Sequence, residues 1–201
     1  MNLLVVLGHP NPASFNHALA HAAADELRRL GHAVVFHDLA AEGFDPGLPA
    51  GEIPGGASLP DEIDRHCREL AEAEGLVVVH PNWWGMPPAV LKGWIDRVVR
   101  CGVAYEFAGG DGGEGVPVPL LTRLKAVAVF NTGNTPPERE RRVFGDPLER
   151  IWRDCIIGLC SRAEFHRRYF TVVCESTESE RRVWLDETRT AMRTFFGREG
   201  D

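Results

Sequence analysis

The sequence lacks the cysteine and histidine patterns that hold structural metals or pair as disulfides. It has five cysteines, an odd number, and none of them belongs to a C-x-x-C motif. Its histidines stand far from any close pair of cysteines, so no zinc-binding pattern is present. Free thiols are typical of a reducing compartment. We therefore expect a cytoplasmic protein without a metal, in which Cys101 and Cys174 are small structural residues rather than redox centres.

The sequence also lacks long apolar runs and an excess of positive charge. No stretch reaches the roughly 18 apolar residues of a membrane-spanning helix, and the first apolar run is too short for a secretory signal. With 22 basic and 29 acidic residues, the formal net charge is −7. These absences argue against an integral membrane segment and against a general nucleic-acid-binding surface.

Apolar runs of strand length alternate with helix-length periodic segments along the chain. The 201 residues, 44% of them hydrophobic, suit a single domain spanning 1–201. The apolar runs predict strands at 2–8, 32–39, 75–80 and 124–130 and within 163–174. The periodic segments predict helices at 14–30, 61–74, 88–100 and 178–196, and a helical stretch that breaks near 145–147 and ends near 161. Residues 102–123 form an inserted loop or hairpin in this scheme.

This alternation predicts an α/β fold with a doubly wound, five-stranded parallel sheet. Parallel strands need crossover helices, and right-handed crossovers place those helices on both faces of the sheet. The strand order 2-1-3-4-5 brings the first, third and fourth strands together. In such sheets ligands bind beyond the carboxyl ends of the strands, where the order reverses. We therefore expect the site in the loops that follow these three strands.

The loop after the first strand lacks the glycine-rich motif that usually holds a phosphate at this position. The stretch LGHPNPASFN has one glycine, Gly8, and no lysine. It does end at a helix N-terminus, where free N–H groups and the helix dipole attract anions. Ser14 and Asn16 add donors, and His9 adds a neutral or charged one. Taken alone, the loop is equally consistent with a helix cap and with a phosphate site.

The other two loops carry aromatic and small polar residues. Residues 81–87 place Trp83 and Trp84 between stiff prolines, an arrangement that suits a flat heteroaromatic ligand or simply covers the edge of the core. Residues 131–136 combine threonines, asparagines and a glycine, as an ordinary turn also does. Three such loops at one edge fit a phosphorylated aromatic cofactor, and a flavin nucleotide has that shape.

Two stretches, LLVVLGHPNPASFNHAL and PNWWGMPPAVLKGWIDRVVRCGVAYEF, resemble signatures of the flavodoxin-like NAD(P)H:quinone oxidoreductases. The resemblance implies a flavodoxin-like fold and a non-covalent flavin, FAD or alternatively FMN. It also implies a homodimer with its sites at the interface. Hydride would pass from NAD(P)H to flavin N5 and then, in a ping-pong cycle, to a quinone or similar flat acceptor.

The resemblance also assigns site residues in this sequence. Those that would hold the flavin phosphates are His9, Ser14, Phe15 and Asn16. Those that would line the isoalloxazine, partly through backbone N–H groups, are Pro81, Asn82, Trp83, Trp84 and Gly85. Those that would approach the polar edge of the ring are Asn131, Thr132 and Gly133. Aromatic residues that would close the substrate pocket from the other subunit are Tyr105 and Phe107.

The sequence departs from the family pattern at the catalytic pair. Members with a defined pair have a tyrosine and a histidine after the third loop, whereas this chain has Glu138 and Phe144 near those positions. Phenylalanine has no proton to give, and a carboxylate would oppose a negative hydroquinone. The catalytic residues therefore stay unassigned. The alternative function is a flavin-binding electron carrier or regulatory subunit, for example of a potassium-efflux system, with weak quinone reductase activity.

Overall fold

Five parallel strands form the central sheet of the computed structural model, which describes residues 1–109 and 115–197. All seven strands that it describes are, in chain order, β1 (Asn2–Leu7), β2 (Ala33–Asp38), β3 (Gly75–Pro81), β4 (Tyr105–Ala108), β5 (Val116–Pro119), β6 (Ala126–Thr132) and β7 (Glu164–Phe170). The strands β4 and β5 pair with each other as an antiparallel hairpin within the 102–123 segment. The middle of that segment, residues 110–114, lies outside the described residues.

The strand order of the sheet is β2-β1-β3-β6-β7. It matches the predicted order 2-1-3-4-5 once the two hairpin strands are numbered. Leu3 lies opposite Val34 of β2 on one side and opposite Gly75 of β3 on the other. The order therefore reverses between β1 and β3, and the carboxyl ends of these strands and of β6 adjoin one another, as expected for a doubly wound sheet.

Within residues 1–109 and 115–197, six helical segments connect or flank the strands. They are α1 (Phe15–Arg29), α2 (Asp61–Glu72), α3 (Ala89–Val98), α4 (residues 137–144), α5 (residues 147–160) and α6 (Glu178–Phe196). Short 3-10 turns occupy Ala50–Glu52, between β2 and α2, and Val173–Glu175. No helix in the described ranges is long and apolar enough to cross a membrane.

Two apolar clusters use alternate residues of the same strands. Leu4 and Val6 pack with residues of α2 and α3, whereas Leu3, Val5 and Leu7 pack with residues of α1 and α6. Successive side chains of a strand point to opposite faces, so the two clusters lie on opposite faces of the sheet. Burial of each large aliphatic side chain contributes about 1.5–3 kcal/mol, and the sheet edge that carries the loops is fixed from both sides.

Wide helical turns distinguish α4 and α5 from the other helices. The segments Glu140–Phe144 and Ile151–Ile157 are π-helical, a geometry that is often found at functional sites. Between the two helices, Gly145 and Asp146 adopt left-handed backbone angles, with φ of 76° and 44°. The helical stretch breaks here, as the sequence predicts, and the break turns α5 back toward the sheet.

Two buried histidines make the fold sensitive to acid. Burial lowers the pKa of His66 and of His80 to about 3. The unfolded chain takes up these protons near the ordinary histidine value of about 6.5, so the stabilisation is present above that pH and is lost as pH falls toward 3. Each residue therefore steepens the loss of stability in mild acid.

We expect His66→Gln to reduce this loss. A glutamine oxygen can still accept the hydrogen bond that Trp94 Nε1 donates to His66 Nδ1, while the titrating ring is removed. Between about pH 6 and pH 5, the free energy of unfolding of the variant should fall by about 1 kcal/mol less than that of the unmodified chain. Urea unfolding at the two pH values measures this difference in the free energy of unfolding. The control is His21→Gln, at an exposed position. An equal fall in both proteins would contradict the assignment.

Candidate functional site

A cleft of two adjoining cavities follows the carboxyl ends of β1, β3, β6 and β7. The α1 cavity, which reaches the start of α1, has a volume of about 750 Å³. The α4 cavity, which reaches α4 and the start of α5, has a volume of about 600 Å³. Both are lined by Asn82, Trp84, Asn134 and Thr135. The cleft is therefore continuous and lies where the strand order predicts a ligand site.

The start of α1 presents hydrogen-bond donors to the α1 cavity. Ser14 is the N-cap, and its Oγ accepts from His17 N at 3.4 Å. Among the described residues, the backbone N–H groups of Phe15 and Asn16 have no acceptor, and both residues line the cavity. Unpaired amides at the positive end of a helix favour an anion. This end of the cavity therefore fits a phosphate.

The Ser14 hydroxyl is coupled to a histidine and a carboxylate. Ser14 Oγ lies 2.9 Å from His17 Nδ1, and His17 Nε2 lies 2.8 Å from Asp38 Oδ2. If only His17 Nε2 carries a proton, His17 Nδ1 takes the single hydrogen of the serine hydroxyl. If both ring nitrogens carry protons, the hydroxyl is free to donate to an anion. The donor capacity of Ser14 thus depends on the protonation of His17.

His9 contributes a neutral donor to the same cavity. Its Nδ1 accepts from Asn11 N at 3.0 Å, which leaves the hydrogen of the neutral ring on Nε2. Burial, chiefly, lowers the pKa of His9, with the charge of His17 acting in the same direction. The imidazole therefore serves as a hydrogen-bond donor and not as a fixed positive charge. It also packs near Trp83, with 5.7 Å between the ring centroids.

The two tryptophans sit on a tight turn at the middle of the cleft. Trp83 and Met86 exchange backbone hydrogen bonds of 3.1 and 3.0 Å. Trp84 and Gly85 between them have φ of 58° and 73°, the angles of a type I′ turn. A left-handed tryptophan costs roughly 1–3 kcal/mol, and such strain is typical of functional positions. The turn leaves the Trp84 indole fully exposed beside both cavities, where it can cover a flat ring.

A second group of unpaired amides lies along the middle of the cleft. In the described part of the chain, the backbone N–H groups of Trp84, Asn134 and Thr135 have no acceptor. By contrast, the amides of Asn82 and Gly85 are already bound, to Thr132 O at 2.6 Å and Asn82 Oδ1 at 2.9 Å. The free amides are therefore the ones available to the polar edge of a heteroaromatic ring.

The α4 cavity contains a buried acid. Glu140 is 3% exposed, and its Oε1 accepts from Asn82 Nδ2 at 3.0 Å. Tyr169 lies in the same wall, and its hydroxyl donates to Thr135 O at 3.5 Å. Burial, first, and the charge of Glu140 raise the pKa of Tyr169, so its hydroxyl keeps its proton. The apolar part of the wall includes Phe144.

Most of the predicted cofactor residues line this cleft. Those that line the α1 cavity are His9, Ser14, Phe15, Asn16, Pro81, Asn82, Trp83, Trp84, Thr132 and Gly133. Gly85 lines the α4 cavity. Two polar groups are engaged elsewhere, since Thr132 Oγ1 pairs with the Asn16 amide and Gly133 N donates to Phe170 O. The binding roles of these residues stay predictions.

The expectation that Asn131 lies in the third loop is wrong, whereas its contact with a ligand stays a prediction. The loop was expected to begin at Asn131, but β6 continues to Thr132 and carries Asn131 into the sheet. Asn131 is fully buried, and its amide lies 2.8 Å from His80 Nε2. Its oxygen accepts from Arg167 Nε at 2.6 Å. It supports the site from below and lines neither cavity.

The two aromatic residues predicted for the substrate pocket lie on the hairpin. Tyr105 packs partly against the core, and Phe107 is 54% exposed. Neither lines the α1 cavity or the α4 cavity. Tyr105 lines a separate cavity of about 230 Å³ that also includes Arg100. Their expected place, in the site of a second subunit, stays a prediction.

Glu138 lies near the position of the family tyrosine, and its surroundings differ from those of Glu140. Glu138 is exposed on α4 and forms an ion pair with Arg142 at 3.4 Å, so it does not face the cleft. Glu140, two residues later, does. The sequence ERERR, residues 138–142, looks like a solvated helix face, and no local signal marks the π-helical turn that buries its second acid. Tyr169 was missed as well, although its position near the end of a parallel strand could have indicated it.

A buried polar network holds the floor of the α4 cavity. His80 Nδ1 donates to Pro81 O at 2.8 Å, and its Nε2 accepts from Trp152 Nε1 at 2.9 Å. Arg167, bound to Asn131 as described, also donates to Asp146 Oδ2 at 2.9 Å. It donates to Glu149 Oε2 at 3.0 Å as well. The network ties the end of β3 to β7 and to the turn between α4 and α5.

One group of side chains within the described ranges has the spacing of a metal site, but its hydrogen bonds oppose that use. The potential ligand atoms of His37, Glu42 and His66 lie within 4.8 Å of one another. Trp94 Nε1 donates to His66 Nδ1, so the neutral ring keeps its hydrogen on Nε2 and has no lone pair there for a metal. Glu42 and Glu69 flank the two nitrogens of His37. The group joins β2 to α2 as a polar cluster.

Comparison with known proteins gives one family and a consistent fold. A family model described as a flavodoxin-like fold matches residues 1–180. Ribosyldihydronicotinamide dehydrogenase (quinone) of Mus musculus is 32% identical over 219 aligned positions, covering 98% of this chain and 93% of that protein. Smu.1420 from Streptococcus mutans UA159 is 26% identical with a TM-score of 0.81, covering 96% of this chain and 100% of that one.

The NAD(P)H:quinone oxidoreductase from Methanothermobacter marburgensis has the same fold. It is 23% identical to this chain with a TM-score of 0.82, and the match covers 99% of this chain and 98% of that one. The family match includes every strand of the central sheet and every residue that lines the two cavities.

Proposed function

The chain belongs to the flavodoxin-like fold family, as its two signature stretches indicate, and we propose that it is a flavin-dependent NAD(P)H oxidoreductase that reduces a quinone or similar flat acceptor. The observation that carries the proposal is the run of unpaired N–H groups along one cleft. Phe15 and Asn16 offer donors at one end, and Trp84, Asn134 and Thr135 offer them in the middle. A flavin nucleotide has its phosphate and the polar edge of its ring in the same succession.

The residues present fit such a cofactor. The phosphate would lie at the start of α1, where Ser14, His9 and two free amides converge. The ring would lie beside the Trp83–Met86 turn, with Trp84 over it. We propose FAD, with FMN as the alternative, because the resemblance favours the larger nucleotide and the α1 cavity is open toward solvent at its rim. When bound, the flavin would supply hydride acceptance and hydride donation.

The chain itself would orient the reactants and shield them from water. NAD(P)H and the acceptor would occupy the α4 cavity in turn, stacked between the cofactor and the apolar wall that includes Phe144. Free amides at the polar edge of the ring would stabilise negative charge there. Tyr105 and Phe107 of a second subunit would close the pocket, so we propose a homodimer. We also propose that it lies in the cytoplasm.

Steady-state kinetics test the shared site. Initial rates measured at several fixed quinone concentrations should give parallel double-reciprocal lines against NAD(P)H, because the first product must leave before the acceptor enters. Intersecting lines would contradict a single shared cavity. The same assay compares NADH with NADPH as the hydride donor.

A flavin-binding electron carrier or regulatory subunit is the second candidate. Phe144 favours it, because the α4 cavity has this residue where related enzymes have a proton donor. Rapid quinone reduction by the purified protein would exclude this candidate. Flavin uptake with negligible quinone reduction would favour it.

A further inference from the structure

Glu140 is an acid without a counter-ion in the wall of the α4 cavity. No cation lies within ion-pair distance of its carboxylate among the residues that the structure describes. Its one hydrogen bond there is the bond from Asn82 to Oε1, which leaves Oε2 without a partner. A carboxylate that is 3% exposed normally has such partners.

The surrounding residues do not neutralise this charge. Arg141 and Arg142, which follow Glu140 on α4, are exposed to solvent. The nearby Arg167 is turned away toward Asp146 and Glu149. The Tyr169 hydroxyl keeps its proton, because its pKa is raised, and it donates a hydrogen bond to the backbone carbonyl of Thr135.

The rest of the wall combines apolar residues with neutral polar ones and adds no other charged side chain. Val143, Phe144 and Pro147 line the cavity beside Glu140, and Trp84 lies at its mouth. A buried carboxylate such as that of Glu140 interacts more strongly with a charged ligand than a fully exposed carboxylate does. A ligand in this cavity therefore meets several apolar side chains and one negatively charged hydrogen-bond acceptor, the Glu140 carboxylate.

We propose that Glu140 determines specificity by selecting flat ligands that present a positive charge or an N–H or O–H donor to it. Ligands that carry a carboxylate or sulfonate at the same end are disfavoured, because two negative charges would be buried together. The inference rests on the proposed function for the identity of the cavity as the acceptor site. The proposed co-substrate NAD(P)H belongs to the selected class through the N–H donors of its carboxamide, and its oxidised product also carries a cationic ring.

The test uses three naphthalene probes of matched shape: 2-naphthylmethylammonium, 2-naphthalenemethanol and 2-naphthoate. Their association constants are measured calorimetrically at neutral pH with the full chain, saturated with FAD. We expect the ammonium probe to bind more tightly than the carboxylate probe. Glu140→Gln should reduce the ratio of these two constants by about tenfold, because it replaces a charged acceptor with a neutral one of the same shape.

Glu138→Gln is the matched control. It changes the net charge equally from an exposed position on the same helix, and it should leave the ratio unchanged. The alcohol probe reports whether the cavity is intact in each variant. An unchanged ratio in Glu140→Gln, an equal change in Glu138→Gln, or failure of all three probes to bind the unmodified chain would overturn the inference.

Flavin content, measured on the same samples, separates this inference from the proposed function. If the chain binds flavin but Glu140→Gln does not alter the ratio, only the inference fails. If neither protein binds flavin, the proposed function fails, and the same titrations without FAD still decide the charge preference.

Discussion

Replacing Ser14 and Asn16 together with alanine is expected to weaken flavin binding by about a hundredfold. Ser14 loses the hydroxyl that faces the phosphate end of the α1 cavity. Asn16 loses the amide that pairs with Thr132 beside the ring. A hydrogen bond to a charged group contributes about 1.5–3 kcal/mol, so loss of the Ser14 hydroxyl accounts for most of the expected change, and loss of the Asn16–Thr132 pair removes a contact that fixes the cavity wall. Fluorescence titration of the apoprotein with FAD measures it.

The control is Thr177→Ala at the start of α6. Thr177 is also a helix N-cap and forms a capping box with Glu180, and it lines neither the α1 cavity nor the α4 cavity. Its loss should cost about 0.5–2 kcal/mol of stability, as Ser14→Ala should, but leave flavin affinity unchanged. Equal affinity in the double variant and the unmodified chain would mean that the first loop is only a helix cap.

Arg167→Met is expected to lower the free energy of unfolding by about 3–5 kcal/mol. The Arg167 side chain is 4% exposed and donates to Asp146, Glu149 and Asn131. Methionine fills a similar volume but leaves two carboxylates and an amide oxygen without their donor. Because Asp146 forms the turn between α4 and α5, the wall of the α4 cavity should loosen as well. Chemical denaturation measures the change.

The neighbouring Arg168→Met provides a control of the same chemistry. Arg168 is half-exposed and pairs with Glu187 near solvent, so its loss should cost less than about 1 kcal/mol. A loss from Arg167→Met no larger than that from Arg168→Met would show that the buried network does not hold the cavity wall.

The sequence pattern predicts the sheet and the edge at which the cleft lies, because continuous apolar runs such as Leu76–Val79 identify buried parallel strands. It predicts the cofactor loops through unusual residues at the strand ends, among them Ser14 and Trp84. It misplaces the start of the third loop, because Asn131 is a typical turn residue and only its long-range partners His80 and Arg167 explain its burial. The local structural propensity of Asn131 carries no information about these long-range hydrogen bonds.

The acid in the cavity shows the same limit. Glu138 and Glu140 have nearly the same neighbours in sequence, yet one is exposed and the other buried. The difference arises from the π-helical turn and from the distant Asn82, which donates to Glu140 across the cleft. Neither is visible in the amphipathic pattern of the helix, so the chemistry of the α4 cavity requires the structure.

Flavin uptake by the purified chain tests the central claim most directly. The protein is titrated separately with FAD and with FMN, its visible spectrum is recorded, and acid-released flavin is identified by chromatography. We expect stoichiometric, non-covalent uptake, with FAD bound more tightly than FMN, and bleaching of the bound flavin on anaerobic addition of NAD(P)H. A colourless protein that takes up neither flavin would contradict the account.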